Sequence, residues 1–103
     1  MCHYKRIERS IGEYIAGRYR RVVEVGIGNN PEAARMIAAA GALMRCTDIR
    51  PGIRHAGLTV VADDIFEPEI GLYAGADLIY AVRPGVEMVP PLIALAGRVN
   101  SDL

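Results

Sequence analysis

Two segments of this sequence carry residues that together suit a nucleoside. The apolar run Val22–Val25 leads into Gly26-Ile27-Gly28, and Asp48 follows Gly28 by twenty positions. A glycine turn takes positive φ and lets a ligand approach the backbone, because glycine has no Cβ. A carboxylate that ends the next strand can accept both hydroxyls of a ribose. The pattern predicts a site for the adenosine half of a nucleotide-like ligand.

The charges around the glycine turn bear on which ligand it takes. Glu24 precedes the turn and Glu32 follows it, while Pro31 removes a helix N-terminal N–H that a pyrophosphate would use. Negative charge on both sides favours a ligand with an ammonium or sulfonium group and disfavours NAD. A regulatory domain that binds NAD remains an alternative, and it requires the turn to tolerate pyrophosphate.

A pair of acids follows the third strand-like segment. Asp63 or Asp64 is placed to accept the exocyclic amine of adenine, with Ile65 or Phe66 against the ring. The alternative is a solvated pair of acids that opens a loop. For Asp48 the alternative is a structural role, in which its side chain caps the turn toward Pro51.

The remaining polar candidates are single residues. Arg83, beside Pro84-Gly85, is a candidate substrate contact, because rigid scaffolds commonly carry binding residues on their loops. Tyr80 is expected in the core, Asp77 in a structural role, and His55 in contact with solvent. No Ser/His/Asp, Cys/His or metal-ligand constellation stands out, so neither a catalytic residue nor a metal ligand is predicted.

These residues need a scaffold that brings strand ends together. Hydrophobic periodicity and turn residues predict helices over about 4–18, 32–40 and 89–99, a short helix near 69–73, and strands over 21–25, 43–47, 58–62 and 77–82. The first strand is expected to be buried except at Glu24. Alternating strands and helices predict a three-layer, Rossmann-like α/β fold with a minimal four-stranded parallel sheet in the order 3-2-1-4.

The whole chain is predicted to be one domain. It comprises an N-terminal helix in 1–20, a βαβ core over 21–99 and a tail over 100–103. The binding crevice is expected at the carboxyl ends of strands 1 and 4, where the winding reverses. The glycine turn, Asp48, the acids after strand 3 and Arg83 all fall at such ends.

Composition narrows the class of protein further. The 103 residues are 51% hydrophobic and carry no net charge, which gives no general attraction to nucleic acid or anionic membranes. Basic residues crowd the first 21 positions and acidic ones the stretch 60–80, which we interpret as a solvated helix face and an acidic rim. No apolar run approaches the roughly 20 residues of a membrane span. A cytoplasmic protein is expected, without a disulfide between Cys2 and Cys46.

The same motifs give the chain a resemblance to the class I S-adenosylmethionine-dependent methyltransferases. The segment 22–28 resembles their first motif, acid-x-Gly-x-Gly, and Asp48 matches the acid that ends their second strand. The segment 63–66 is similar to their third motif, with Asp64 at the position that takes the adenine amine, and 77–84 is similar to the fourth. The chain also resembles a family of small uncharacterised archaeal proteins with a Rossmann-like fold.

The resemblance implies S-adenosylmethionine as the cofactor. Glu24, Gly26 and Gly28 would face its methionine part, Asp48 its ribose and Asp64 its adenine. Enzymes of this class that methylate amines often carry Asn/Asp-Pro-Pro-aromatic after strand 4, where this sequence has 83–86, Arg-Pro-Gly-Val. Whether the domain is a methyltransferase therefore stays open, and no general base is predicted.

A non-catalytic interaction module is the second hypothesis. Strand 4 is apolar and is expected at a sheet edge, and an uncovered edge of that kind invites pairing with another strand. The last helix adds apolar residues on several sides. This interpretation predicts a homodimer, or a protein partner, at the strand 4 edge.

Overall fold

Helices and strands alternate along the described chain, which comprises residues 3–103 of a computed structural model, with side chains from residue 7 onward. The helices are α1 (His3–Ala16), α2 (Glu32–Ala39) and α3 (Val89–Val99), and the strands are β1 (Val22–Val25), β2 (Leu43–Asp48), β3 (Val60–Ala62) and β4 (Leu78–Tyr80). Two 3-10 turns complete the fold of the described residues: one covers Ile70–Leu72, within the predicted short helix, and the other covers Val86–Met88, directly before α3. Cys2 lies outside the described residues, and Cys46 is a buried free thiol.

The four strands form one parallel sheet in the order β3-β2-β1-β4, which confirms the predicted fold class and strand order. β1 lies at the centre, where Val22 is in register with Leu43 of β2 and Leu78 of β4. β4 is shorter than predicted and pairs with β1 only as far as Tyr80. β1 itself ends at Val25, and Gly26 after it has a positive φ of 72°, which is not a strand conformation, so little of β1 is left beyond this pair.

Helices cover both faces of the sheet and make three layers. On one face, α1 and α2 pack against β1 and β4 through Ile15, Ile37, Val22 and Leu78. On the other face, α3 and the segment around the 3-10 turn at Ile70–Leu72 pack against alternate residues of the same strands. The sheet thus buries both faces, as expected for parallel strands flanked by crossover helices.

The prediction that β1 is buried except at Glu24 is wrong. All four positions of β1 are buried, and Glu24 is only 2% exposed. Its side chain lies on the face that α1 covers, where the hydroxyl of Tyr80 donates a 2.6 Å hydrogen bond to Glu24 Oε1. A partner on the neighbouring strand and a helix above it keep this carboxyl inside the protein.

The residues predicted as a tail pair with the edge of β4. Ile79 N–H donates to Asp102 O at 3.0 Å, and Asp102 N–H donates to Asp77 O at 3.1 Å, in a parallel bridge. Tyr19 OH fixes the same segment by donating to Asp102 Oδ2 at 2.8 Å. A partner strand that paired with this part of β4 would have to displace the chain's own C-terminal segment.

Two features of the described residues match their predicted structural roles. Asp77 accepts hydrogen bonds from Arg20 N–H and Arg21 N–H, at 2.8 and 2.9 Å, and so joins the start of β4 to the turn before β1. Tyr80 is buried in the core. Among the described residues, no helix is long and apolar enough to cross a membrane.

Close packing of α1 on α2 depends on Gly12. A Cβ at this position would lie 2.7 Å from Met36 Cβ and 2.9 Å from Ala33 O, too close without a shift of one helix. Gly97 lies in α3, where a Cβ would meet nothing within 4 Å. These two helical glycines provide a matched pair for measuring the contact.

We expect Gly12→Ala to lower the free energy of unfolding by about 1–3 kcal/mol, because it overpacks the α1–α2 contact. Gly97→Ala should raise it by up to about 1 kcal/mol, through the higher helix propensity of alanine. Urea unfolding followed by circular dichroism measures both. Equal stability of Gly12→Ala and the unmodified protein would show that α1 does not lie against α2 in this way.

Candidate functional site

A cavity of about 210 Å³ opens at the carboxyl ends of β1, β2 and β3, and we call it the notch. Its wall includes Gly26 from the turn after β1, Asp48 and Arg50 from the end of β2, and Asp64 from the loop after β3. Met88, just before α3, closes another side. Residues far apart in sequence therefore meet at one rim, formed by the carboxyl ends of parallel strands. The crevice was predicted at the ends of strands 1 and 4, but the described residues that line this notch include none of β4.

Gly26, the first residue of the glycine turn, forms the backbone wall of the notch. Gly26 and Gly28 have φ of 72° and 58°, in the left-handed region that other residues rarely adopt. Gly26 N–H donates to Thr47 O at 2.7 Å, which ties the turn to β2. A Cβ on Gly26 would meet only Met88 Cε, at 3.8 Å, so the backbone here is bare on the side of the notch.

Asp48 joins the glycine turn to the loop after β2. Its Oδ2 accepts a hydrogen bond from Gly28 N–H at 2.8 Å, and its Oδ1 accepts from Arg50 N–H at 2.9 Å and from Arg50 Nε at 3.3 Å. The bond to Arg50 N–H is the turn-capping alternative considered for this residue. Three of about four acceptor positions are thus used inside the protein. One position, on Oδ2, has no hydrogen bond to the described residues, and the predicted contact of Asp48 with the ribose stays a prediction.

The pKa of Asp48 reflects these contacts. Burial by itself raises the pKa of this carboxyl, but the N–H groups of Arg50 and Gly28 and the Arg50 guanidinium outweigh it and lower the pKa below its ordinary value. The carboxylate is therefore ionised at neutral pH. It works as a fixed negative clamp between two loops.

The two acids after β3 have different roles. Asp63 Oδ2 accepts a 2.5 Å hydrogen bond from the hydroxyl of Tyr73, and its Oδ1 accepts from Glu69 N–H at 3.0 Å. Asp64 Oδ1 accepts from Phe66 N–H at 2.9 Å, whereas its Oδ2 has no hydrogen bond to the residues that the structure describes. Asp63 thus anchors the loop, and Asp64 keeps an acceptor for a ligand.

Apolar side chains form the rest of the notch. Ile65 and Val25 are buried behind it, whereas Ile49 and Phe66 at its mouth are 63% and 54% exposed. Covering exposed apolar side chains with a flat apolar group is favourable, by about 25 cal/mol for each Å² of apolar surface that is removed from water. The notch therefore combines an apolar mouth with polar groups at its edges.

Three of the predicted site residues, Glu24, Gly28 and Arg83, do not line the notch. Glu24 is buried beside Tyr80, and burial, with a smaller contribution from nearby Glu8, raises the pKa of Glu24 to about 7 despite the hydrogen bond from Tyr80. Arg83 Nη2 lies 3.3 Å from Oε1 of Glu8, which is buried on α1. Their roles toward the methionine part and the substrate stay predictions.

His55 is a residue that the sequence interpretation missed. It was expected to be exposed to solvent, but its ring is half-buried and its Nε2 lies 2.7 Å from Gly28 O, within hydrogen-bonding distance. Gly28 is thus held at its N–H by Asp48 and at its carbonyl by His55. No local pattern signals this contact, because the two residues are 27 positions apart.

We expect the raised pKa of Glu24 to be visible in the pH dependence of stability. The folded value of about 7 lies above the ordinary 4.5 of an unfolded chain, so the native state binds more protons between these limits. Stability should fall by on the order of 3 kcal/mol as the pH rises from about 4.5 to 7 through this group alone. Glu24→Gln should remove that decline in urea unfolding measured at several pH values.

Glu13→Gln is the control for this experiment, since Glu13 is an exposed residue of the same helix, α1, that covers Glu24. Its stability profile should follow that of the unmodified protein. If Glu24→Gln and Glu13→Gln gave the same profile between pH 4.5 and 7, the carboxyl of Glu24 would not be buried as described.

Comparisons with known proteins point to one family. Residues 9–103 match the model of an uncharacterised protein family, UPF0146. A UPF0146 protein of Archaeoglobus fulgidus is 36% identical over 93 residues, which cover 89% of this chain and 72% of that protein. One from Pyrococcus horikoshii is 36% identical over 99 residues, which cover 90% of this chain and 76% of that protein. The predicted resemblance to a family of small archaeal proteins is confirmed.

Proposed function

This chain belongs to the UPF0146 family, and we propose that it binds the adenosine part of a small molecule in the notch, with S-adenosylmethionine as the ligand. The observation that carries the proposal is the composition of the notch. Exposed apolar side chains, bare glycine backbone and an acid with an unused oxygen lie together at the carboxyl ends of parallel strands. Ligands of open α/β sheets bind outside the carboxyl ends of the strands.

The base of the nucleoside fits the apolar mouth. Adenine is flat, and its faces would cover the exposed side chains of Ile49 and Phe66. Its exocyclic amine would donate to Asp64 Oδ2, since Oδ1 already accepts from Phe66 N–H. A hydrogen bond to an ionised acceptor contributes roughly 1.5–3 kcal/mol, enough to select adenine over a base that has a carbonyl at this position.

The size of the notch favours one nucleoside over a dinucleotide. Its volume of about 210 Å³ is below the roughly 300–1,000 Å³ of typical ligand pockets, so it suits a base and part of its sugar. Pro31 also leaves the start of α2 with one N–H fewer for a pyrophosphate. Both observations favour S-adenosylmethionine over NAD as the ligand.

The sulfonium end of the ligand would pass over Gly26 and Met88. The argument for a sulfonium rests on the resemblance of the segment 22–28 to the first motif of the methyltransferases. If methyl transfer occurs, the domain would act by holding an already nucleophilic acceptor beside the methyl group, which is catalysis by orientation.

We expect isothermal titration calorimetry to detect binding of S-adenosylmethionine and its demethylated product. Asp64→Asn should weaken both by about tenfold or more. The amide oxygen would stay with Phe66 N–H, and the new NH₂ would face the donor amine of adenine. An inosine analogue, with a carbonyl in place of that amine, should bind the unmodified protein weakly.

Glu67→Gln is the matched control, because it removes one negative charge from an exposed residue of the same loop. It should leave both dissociation constants within about twofold. If no heat of binding appears at millimolar ligand, or if Asp64→Asn and Glu67→Gln behave alike, the proposed recognition of adenine is wrong. A titration with NAD in parallel separates the two ligand classes.

A further inference from the structure

We propose that the notch, besides S-adenosylmethionine, accepts adenosine ligands with a phosphate on the ribose 2′ or 3′ oxygen, that Arg50 contacts this phosphate, and that these ligands bind more tightly than unphosphorylated adenosine. This inference rests on the proposed function, because it assumes that the base occupies the notch. It concerns the opposite edge of the ligand from the adenine amine.

Asp48 has few acceptor positions left for a ribose. Its Oδ1 already accepts from both Arg50 N–H and Arg50 Nε, and its Oδ2 accepts from Gly28 N–H. One acceptor position is left, on Oδ2, so Asp48 can accept one ribose hydroxyl more readily than both. Here the carboxylate is buried and serves the protein's own N–H groups.

The second step is the position of Arg50. Its side chain is 56% exposed and lines the notch, while its Nε is held 3.3 Å from Asp48 Oδ1. Its Nη2 lies beside the glycine turn, 3.3 Å from where a Cβ of Gly28 would be. Among the described residues, neither Nη atom of Arg50 donates a hydrogen bond to a protein group. The guanidinium is thus held through Nε, and its Nη groups can donate to a ligand.

The third step is the charge of the two edges of the notch. Asp63 and Asp64 lie on the β3 side, whereas on the β2 side the charge of Asp48 is paired with that of Arg50. The loop that contains Arg50 also carries exposed Arg54, and Arg35 of α2 reaches it through a 2.8 Å hydrogen bond from Nη1 to Ala56 O. A ligand with an amine at one edge and an anion at the other matches this arrangement.

A guanidinium recognises a phosphate through two parallel N–H donors, which a hydroxyl cannot match. A phosphate on the 2′ or 3′ oxygen would meet the free Nη groups of Arg50 while the base stays in the apolar mouth. A phosphate on the 5′ oxygen would leave from the other side of the sugar. The position of the phosphate therefore decides whether Arg50 is engaged.

The test compares four ligands by calorimetry at one ionic strength: adenosine and its 2′-, 3′- and 5′-monophosphates. We expect the 2′- or the 3′-monophosphate to bind about tenfold or more tightly than adenosine, and the 5′-monophosphate to show no such gain. Equal affinity for adenosine and all three monophosphates would overturn the inference. So would a gain for the 5′-monophosphate alone.

Variants assign any gain to the side chain. Arg50→Gln should abolish the preference while adenosine itself still binds, and Arg50→Lys should keep only part of it, since lysine has charge but no planar fork. Arg98→Gln, in the last turn of α3, removes the same charge elsewhere and should keep the full preference. A preference that survives Arg50→Gln in a folded protein would contradict the assignment.

The two proposals fail in different ways. If neither adenosine nor any monophosphate binds the unmodified protein, the proposed function fails and this inference with it. If adenosine binds and Asp64→Asn weakens it, but phosphate position has no effect, only the role of Arg50 is wrong. Because the ligand series needs no variant, it decides the question even if Arg50→Gln does not fold.

Discussion

One buried carboxylate, Asp48, connects the two loops on which the candidate site depends. It binds Gly28 N–H on one side and the backbone and side chain of Arg50 on the other. An unpaired buried charge would be costly, so this carboxylate is stable only with those partners in place. The conformation of the glycine turn and the direction of the Arg50 side chain are therefore set together. His55, near the carbonyl of Gly28, adds a second restraint on the same residue.

Asp48 and Glu24 are both buried acids, but their environments differ. Asp48 accepts hydrogen bonds from backbone N–H groups and has a lowered pKa, whereas Glu24 is buried under α1 and has a pKa raised to about 7. From the sequence, Glu24 was expected to place a negative charge beside the ligand. Its burial removes much of that argument against an anionic group near the glycine turn. Asp64, with one oxygen free of protein contacts, is the acid best placed to meet a ligand.

Much of the fold follows from local patterns in the sequence. The helix over 89–99 was predicted with its observed bounds, since Pro90 and Pro91 suit a first turn and Asn100 ends it in the left-handed region. The sheet order follows from alternating strands and helices. The contacts that sequence reasoning missed join distant positions: Asp102 with β4, His55 with Gly28, and α1 over Glu24. No periodicity encodes such pairs, because tertiary packing decides them.

The central claim is that the Asp48-clamped notch binds an adenosine group. Its most direct test is a titration of the ¹⁵N-labelled protein with adenosine, followed by NMR. The account predicts that the amides of Gly26, Gly28, Arg50 and Phe66 shift with one common dissociation constant, while those of Gly12 and Gly97 do not move. Shifts that cluster on another surface, or none at millimolar adenosine, would contradict it.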